Sequence, residues 1–114
     1  MKLASPTPEL PVPDVEAAQR YYRDTLGFEI AWRNEEGRIG AVALGECGLF
    51  FRESDEAAKG GVFWIFADDV DEAHAALSSR GADVEGPPED KPWGLRQFTL
   101  RDPYGNVFYV FHDL

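Results

Sequence analysis

At 114 residues the chain has room for one domain of common size and none for a cofactor module beside a substrate module. Its 44% hydrophobic and 13% aromatic content can bury a core without staples, and its longest apolar stretches, such as Gly61 to Ala67, fall far short of a membrane span. Eleven Lys and Arg against 21 Asp and Glu leave a net charge of −10, which argues against nucleic-acid binding, since that needs a basic footprint. The acidic balance suits solubility first, and a neutral or cationic ligand second. One cysteine, Cys47, can make no internal disulfide and no cysteine-rich zinc site. With no apolar targeting stretch after Met1-Lys2-Leu3, the expected location is the cytoplasm.

Taken along the chain, a short extended run, Glu9 to Val12, leads to Asp14, a helix N-cap followed by Val15, Ala18, Tyr22 and Leu26 at helical spacing and stopped by Gly27. Three strand-like runs follow, Phe28 to Arg33, Ile39 to Leu44 and Gly48 to Arg52, separated by Asn34-Glu35-Glu36-Gly37 and Gly45-Glu46. A polar stretch from Ser54 to Gly60 reads as a linker. The grammar then repeats: Val62 to Ala67 extended, Asp69 as N-cap, a helix ending at Arg80-Gly81, and strands Ala82 to Glu85, Leu95 to Leu100 and Val107 to Phe111. Asp14 to Asp69 is 55 positions and Gly27 to Gly81 is 54, so half the chain is the repeating unit.

The prediction is an α+β domain over residues 1–114, built from tandem βαβββ modules at 7–53 and 62–112 with 54–61 between them. Each curled, mostly antiparallel sheet would carry its helix on one face, and the two free faces together would enclose a concave trough suited to a ligand.

Four segments, in this order and spacing, carry a resemblance: Leu10-Pro11-Val12-Pro13-Asp14-Val15, Arg20-Tyr21-Tyr22-Arg23-Asp24-Thr25-Leu26-Gly27-Phe28, Ala67-Asp68-Asp69-Val70-Asp71, and Asp102-Pro103-Tyr104-Gly105-Asn106. Over nearly its whole length the chain resembles the glyoxalase, bleomycin-resistance and extradiol-dioxygenase superfamily, the vicinal oxygen chelate fold. The last segment by itself is a turn, with Pro presetting the first dihedral and Gly or Asn taking left-handed positions.

The resemblance implies, for enzymatic members, a divalent metal held by His, Gln or Glu from the first, fourth, fifth and eighth strands. Those places fall here at Thr7, about Phe51, Val62 and Tyr109. Hydroxyl, aliphatic and aromatic groups are not the imidazole and carboxylate donors such an ion needs. The histidines, His74 and His112, are expected on a helix surface and at a frayed end. No catalytic metal and no cofactor are therefore expected, and no catalytic residue is assigned.

Strand alternation places Val62, Trp64 and Phe66, Val107, Tyr109 and Phe111, and Leu49, Phe51 and Glu53 toward the trough. Leu10, Val12, Phe63, Ile65, Phe108 and Val110 would pack beneath the helices, as would Trp32 on the second strand. Trp93, after the Pro-rich loop Gly86 to Pro92, is either a platform for a planar ligand or a loop anchor. Glu9 and Glu53 would put carboxylates at the rim for a cationic group, and Arg96 and Gln97 would offer hydrogen bonds.

The candidate ligand residues are thus Trp93, Trp64, Phe51, Tyr109, Phe66, Glu53, Glu9 and Gln97. The expected function is metal-free binding of a hydrophobic or aromatic, possibly cationic, compound, as in bleomycin-resistance-type sequestration. The alternative is an enzyme of the superfamily, a lyase or isomerase, with a non-standard or carboxylate-based site. A small-molecule ligand and a homodimer with pockets at its interface are the expected partners, with neither nucleic acid nor membrane.

Overall fold

A computed structural model describes residues 1–55 and 60–114, which fall into two compact units, Met1–Ala57 and Ala58–Leu114. The expected linker straddles that division, and its residues 56–59 lie outside the described ones. The first unit runs β1 (Glu9–Val12), α1 (Val15–Asp24), β2 (Glu29–Asn34), β3 (Ile39–Leu44) and β4 (Cys47–Glu53). The second repeats it with β5 (Val62–Phe66), α2 (Val70–Ser79), β6 (Asp83–Asp90), β7 (Leu95–Arg101) and β8 (Val107–Asp113).

Each unit is one four-stranded mixed sheet, ordered β1-β4-β3-β2 in the first and β5-β8-β7-β6 in the second. The first strand of each unit pairs in parallel with the last, and the other pairs are antiparallel. Two sheets of four strands with one helix each make this the α+β arrangement the repeat predicts.

Both helices start as their aspartates dictate. Asp14 accepts the Ala17 N–H at 3.0 Å and Asp69 accepts the Glu72 N–H at 3.1 Å, each satisfying an orphan donor of the first turn. Both stop at a glycine in left-handed backbone, Gly27 at φ 81° and Gly81 at φ 79°, where a Cβ would be strained.

In the first unit α1 lies on the sheet through Val15, Ala18 and Tyr22, which are buried with Leu10, Val12, Val42, Leu49 and Phe51. The Tyr22 ring stands 4.8 Å from that of Phe51 and 5.5 Å from that of Phe28. The helix sits so close that a Cβ on Gly40 would come within 2.7 Å of Val15 and of Gln19 Nε2. Gln19 is itself buried, and its amide nitrogen donates to the carbonyls of Trp32 and Ala41 at 2.8 and 3.1 Å, so no desolvated donor is stranded.

Two expectations fail in this unit. Leu49, Phe51 and Glu53 were assigned to the free face of the sheet, but β1 pairs in parallel with β4 so that Leu10 lies beside Phe51 and Val12 beside Glu53, all on the helix side. The free face instead carries Glu9 beside Phe50. With a side-chain period of two, a one-residue slip turns a whole strand over. Trp32, assigned to the core, is 43% exposed and packs edge-on against Phe50 at 5.2 Å. A bulge between Ile30 and Trp32 breaks the alternation from buried Phe28 and turns the indole to the free face.

In the second unit α2 covers Phe98, Leu100, Phe108 and Val110, with Val70 fully buried at its start. The Asp102–Asn106 turn is a closed polar knot. Asp102 accepts from the backbone N–H groups of Tyr104 and Asn106 and from Asn106 Nδ2, while Asn106 Oδ1 accepts the Gly61 N–H that leads into β5. Both ends of the unit also run longer than expected. β6 continues through the predicted loop to Asp90, with its pairing broken between Glu85 and Glu89, and β8 continues to Asp113.

Candidate functional site

On the helix-free face of the second sheet the register lines residues up in rows. Glu85, Thr99, Tyr109 and Trp64 form one row across β6, β7, β8 and β5, and Glu89, Gln97, Phe111 and Phe66 form the next. The irregular Gly86-Pro87-Pro88 segment bows β6 away from β7 between these rows. The result is a cavity of about 540 Å³ lined by Trp64, Glu85, Gly86, Pro87, Glu89, Lys91, Trp93, Gln97, Phe98, Thr99 and Tyr109. Its volume lies within the range of small-molecule sites.

Three aromatic rings give this cavity its character. Trp64 and Tyr109 pack at 4.7 Å with a 41° tilt, an offset that leaves ring faces available. Trp93 comes from the turn after β6, which is closed by the Gly94 N–H donating to Lys91 O and the Lys91 N–H donating to Leu95 O. The Trp93 indole is 59% exposed, yet its Nε1 donates to Gln97 Oε1 at 2.9 Å, so the ring is aimed rather than free to swing. Lys91 Nζ lies 5.9 Å from the Trp93 ring centre.

Charge around the cavity is paired. Glu89 accepts from Lys91 Nζ at 2.9 Å, and this hydrogen bond holds its carboxyl below the usual range. Glu85 pairs with Arg101 at 3.0 Å. Arg96 points the other way, donating to Asp71 at 2.8 Å and Asp90 at 2.8 Å, which ties the start of α2 to the end of β6. Its hydrogen bond holds the Asp71 carboxyl below the ordinary range, and Asp71 and Asp90 in turn raise the guanidinium. Arg96 is therefore a clamp on the cavity wall and not the ligand donor that its place beside Gln97 suggested.

Of the eight candidate ligand residues, four meet at this cavity: Trp64, Trp93, Gln97 and Tyr109. Phe66 shares the free face, edge-on to Phe111 at 5.8 Å, but stands outside the cavity lining. The other three belong to the first unit. Phe51 is fully buried against Tyr22, and Glu53 lies 3.7 Å from Arg38 on the helix side, beside a 180 Å³ hollow at the start of α1. Glu9 does face away from the helix, but its carboxylate is taken by Arg52 at 2.7 Å. The cavity also takes in Glu85, at the end of a predicted strand, and Gly86, Pro87, Glu89 and Lys91, on the segment that reads as loop; none is among the candidates. The one usable signal was their place next to Trp93.

Both histidines are structural. His74 sits 2.7 Å from Gly86 O through Nε2 and edge-on to Phe98 at 5.0 Å, bracing the bowed segment from α2 rather than lying on the helix surface. His112 is inside β8, not at a frayed end, and its Nδ1 accepts the Val70 N–H at 2.9 Å. Among the described residues no three His, Cys, Asp or Glu side chains converge as a metal site. By register the first unit's counterpart of Tyr109 is Phe50, so the set to be judged is Thr7, Phe50, Val62 and Tyr109. These side chains do not fit a divalent metal, because only hydroxyls are offered. Burial pushes the half-buried Cys47 thiol up, away from the thiolate form that a nucleophile needs. Among the described residues no helix is long and apolar enough to cross a membrane.

Comparison with known proteins gives a family match and similar structures. The model of the Glyoxalase/Bleomycin resistance protein/Dioxygenase superfamily matches residues 4–110. The bleomycin-binding protein of Streptomyces verticillus, solved with copper(II)-bleomycin, is 28% identical with a TM-score of 0.79, covering 96% of this chain and 96% of that one. TioX from Micromonospora sp. ML1 is 26% identical with a TM-score of 0.82, over 97% of this chain and 100% of TioX. The uncharacterized protein YraH of Bacillus subtilis (strain 168) is 27% identical over 119 aligned residues, 90% of this chain and 93% of YraH.

Proposed function

The chain belongs to the glyoxalase, bleomycin resistance protein and dioxygenase superfamily, and from that premise we propose that it binds and sequesters a planar aromatic small molecule without a metal of its own. The observation that carries this reading is the meeting of Trp64, Trp93 and Tyr109 around one 540 Å³ cavity floored by Gln97 and Thr99. Ring faces held in place by a sheet and an aimed turn lose little freedom when a planar ligand stacks on them. The S. verticillus relative, solved with a bleomycin complex, supports a small-molecule role on this fold. A cation is a secondary feature here, since Glu85 and Glu89 each already have a basic partner. The exposed row Val62, Trp64 and Phe66, at 60%, 50% and 56%, supports the further proposal that the working form is a homodimer in which a second copy covers apolar surface. Sedimentation equilibrium giving a monomer at micromolar concentration would remove that part.

The test of binding is a titration of tryptophan fluorescence with copper(II)-bleomycin and with uncharged bicyclic heteroaromatics, in the wild type and in Trp93→Ala. Saturable quenching that weakens by about tenfold or more in the variant is expected from the loss of one stacked ring. Unchanged affinity in a folded Trp93→Ala protein refutes the platform, and no saturation with any compound refutes the binding function.

A further inference from the structure

One neutral group in the cavity, the Gln97 amide, has its hydrogen-bonding sense fixed by a neighbour, and that group says what the ligand must present. An indole N–H donates and cannot accept. The 2.9 Å contact from Trp93 Nε1 to Gln97 therefore requires the amide oxygen of Gln97 to face Trp93 and its NH₂ to face the other way. Gln97 is 6% exposed in β7, between Glu89 of β6 and Phe111 of β8, and the bond from Trp93 is what fixes the sense of its amide. Its Nε2 bonds no described residue, and among the described residues no side-chain nitrogen or oxygen sealed from solvent lacks a partner, so the free N–H groups open on the cavity. The hydroxyls of Thr99 and Tyr109 also line the cavity, but each can donate or accept by rotation and selects nothing. Lys91 is engaged with Glu89.

Resting on the proposed binding of an aromatic compound, we infer that Gln97 selects ligands that carry a neutral acceptor, a ring carbonyl or ring nitrogen, on the edge seated beside it, and disfavours those that present an N–H there. A ligand without the acceptor covers the Gln97 donor and leaves it unmatched, and one with an N–H sets donor against donor. The acceptor is neutral because the basic groups beside the cavity are already paired, Lys91 with Glu89 and Arg101 with Glu85. Trp93 is thus a positioning residue for Gln97 as well as a stacking surface.

The experiment is an NMR titration of the full chain with three uncharged probes of similar breadth: 1-methylquinolin-2-one, which only accepts, 1-methylindole, which does neither, and indole, which only donates. The expected order of affinity is that order, with the quinolinone ahead of 1-methylindole by about tenfold, and only the quinolinone moving the Gln97 amide protons downfield. In Gln97→Glu an oxygen still meets the Trp93 N–H while a carboxylate oxygen faces the cavity, so indole should overtake the quinolinone. Trp93→Phe tests the same logic at an exposed position that leaves the fold intact: the ring stays, the N–H is gone, the amide is free to turn over, and the three affinities should converge to within about twofold. Equal wild-type affinities, or a preference that survives Trp93→Phe, overturn the inference while leaving the binding function standing. Failure of all three probes to bind the wild type overturns the binding function and the inference with it.

Discussion

Removing the Asn106 side chain should unlock the start of the second unit. Asn106 is 1% exposed and its amide makes two contacts, donating to Asp102 Oδ2 at 2.8 Å and accepting the Gly61 N–H at 3.0 Å. Asn106→Ala keeps the backbone N–H bond to Asp102 and loses both of these. The bond to the carboxylate is worth about 1.5–3 kcal/mol and the neutral one about 0.5–1.5 kcal/mol, so the expected loss is about 2–4.5 kcal/mol. Against a typical total of about 5–15 kcal/mol that is a large fraction. Tm should fall by about 4 °C for each kcal/mol at this chain length. Urea unfolding followed by circular dichroism reads the change as a lower midpoint at constant slope. A loss under about 1 kcal/mol would show that water replaces both partners and refute the reasoning. Asn106→Asp sharpens the test, because it sets a second carboxylate against Asp102 and one of the pair must keep a proton. A folded-state pKa raised in this way stabilises below the unfolded value and is lost as pH rises through the folded one. That variant should therefore recover relative to wild type on going from pH 7 to about pH 5.

Phe51→Ala should cost about 3–5 kcal/mol by opening a hole under Tyr22, with ligand affinity per folded molecule unchanged, and a drop in affinity in the folded fraction would return Phe51 to the site. Arg96→Gln should lower stability at neutral pH. The Asp71 carboxyl, ordinarily near 3.8, is held lower by Arg96, so its contribution is present above the unfolded value and lost as pH falls through the folded one. The Tm gap between variant and wild type should accordingly narrow between pH 7 and about pH 3, and an equal gap at both would refute the link.

Much of the architecture was legible because its signals are local. An aspartate before an apolar helical face and a glycine after it mark a helix whatever the rest of the chain does, and both helices obey. Trp64 and Tyr109 were placed together correctly because β5 and β8 run without bulges and their alternation holds over the whole pair. Alternation failed where pairing is irregular or nonlocal. Trp32 lies just past a bulge, and nothing in Gly48 to Arg52 alone says whether Phe50 or Phe51 meets the helix.

By itself, then, the sequence determined the doubled βαβββ plan, the caps and turns that punctuate it, and the membership of the superfamily. Tertiary structure decided which side each strand shows, where the irregularity of β6 opens a cavity, and which way the Gln97 amide points. The physical reason is that side chains alternate with a period of two. A register that sets Leu10 beside Phe51, 41 positions apart, or one indole N–H meeting one amide, is invisible until the partner strands are in place.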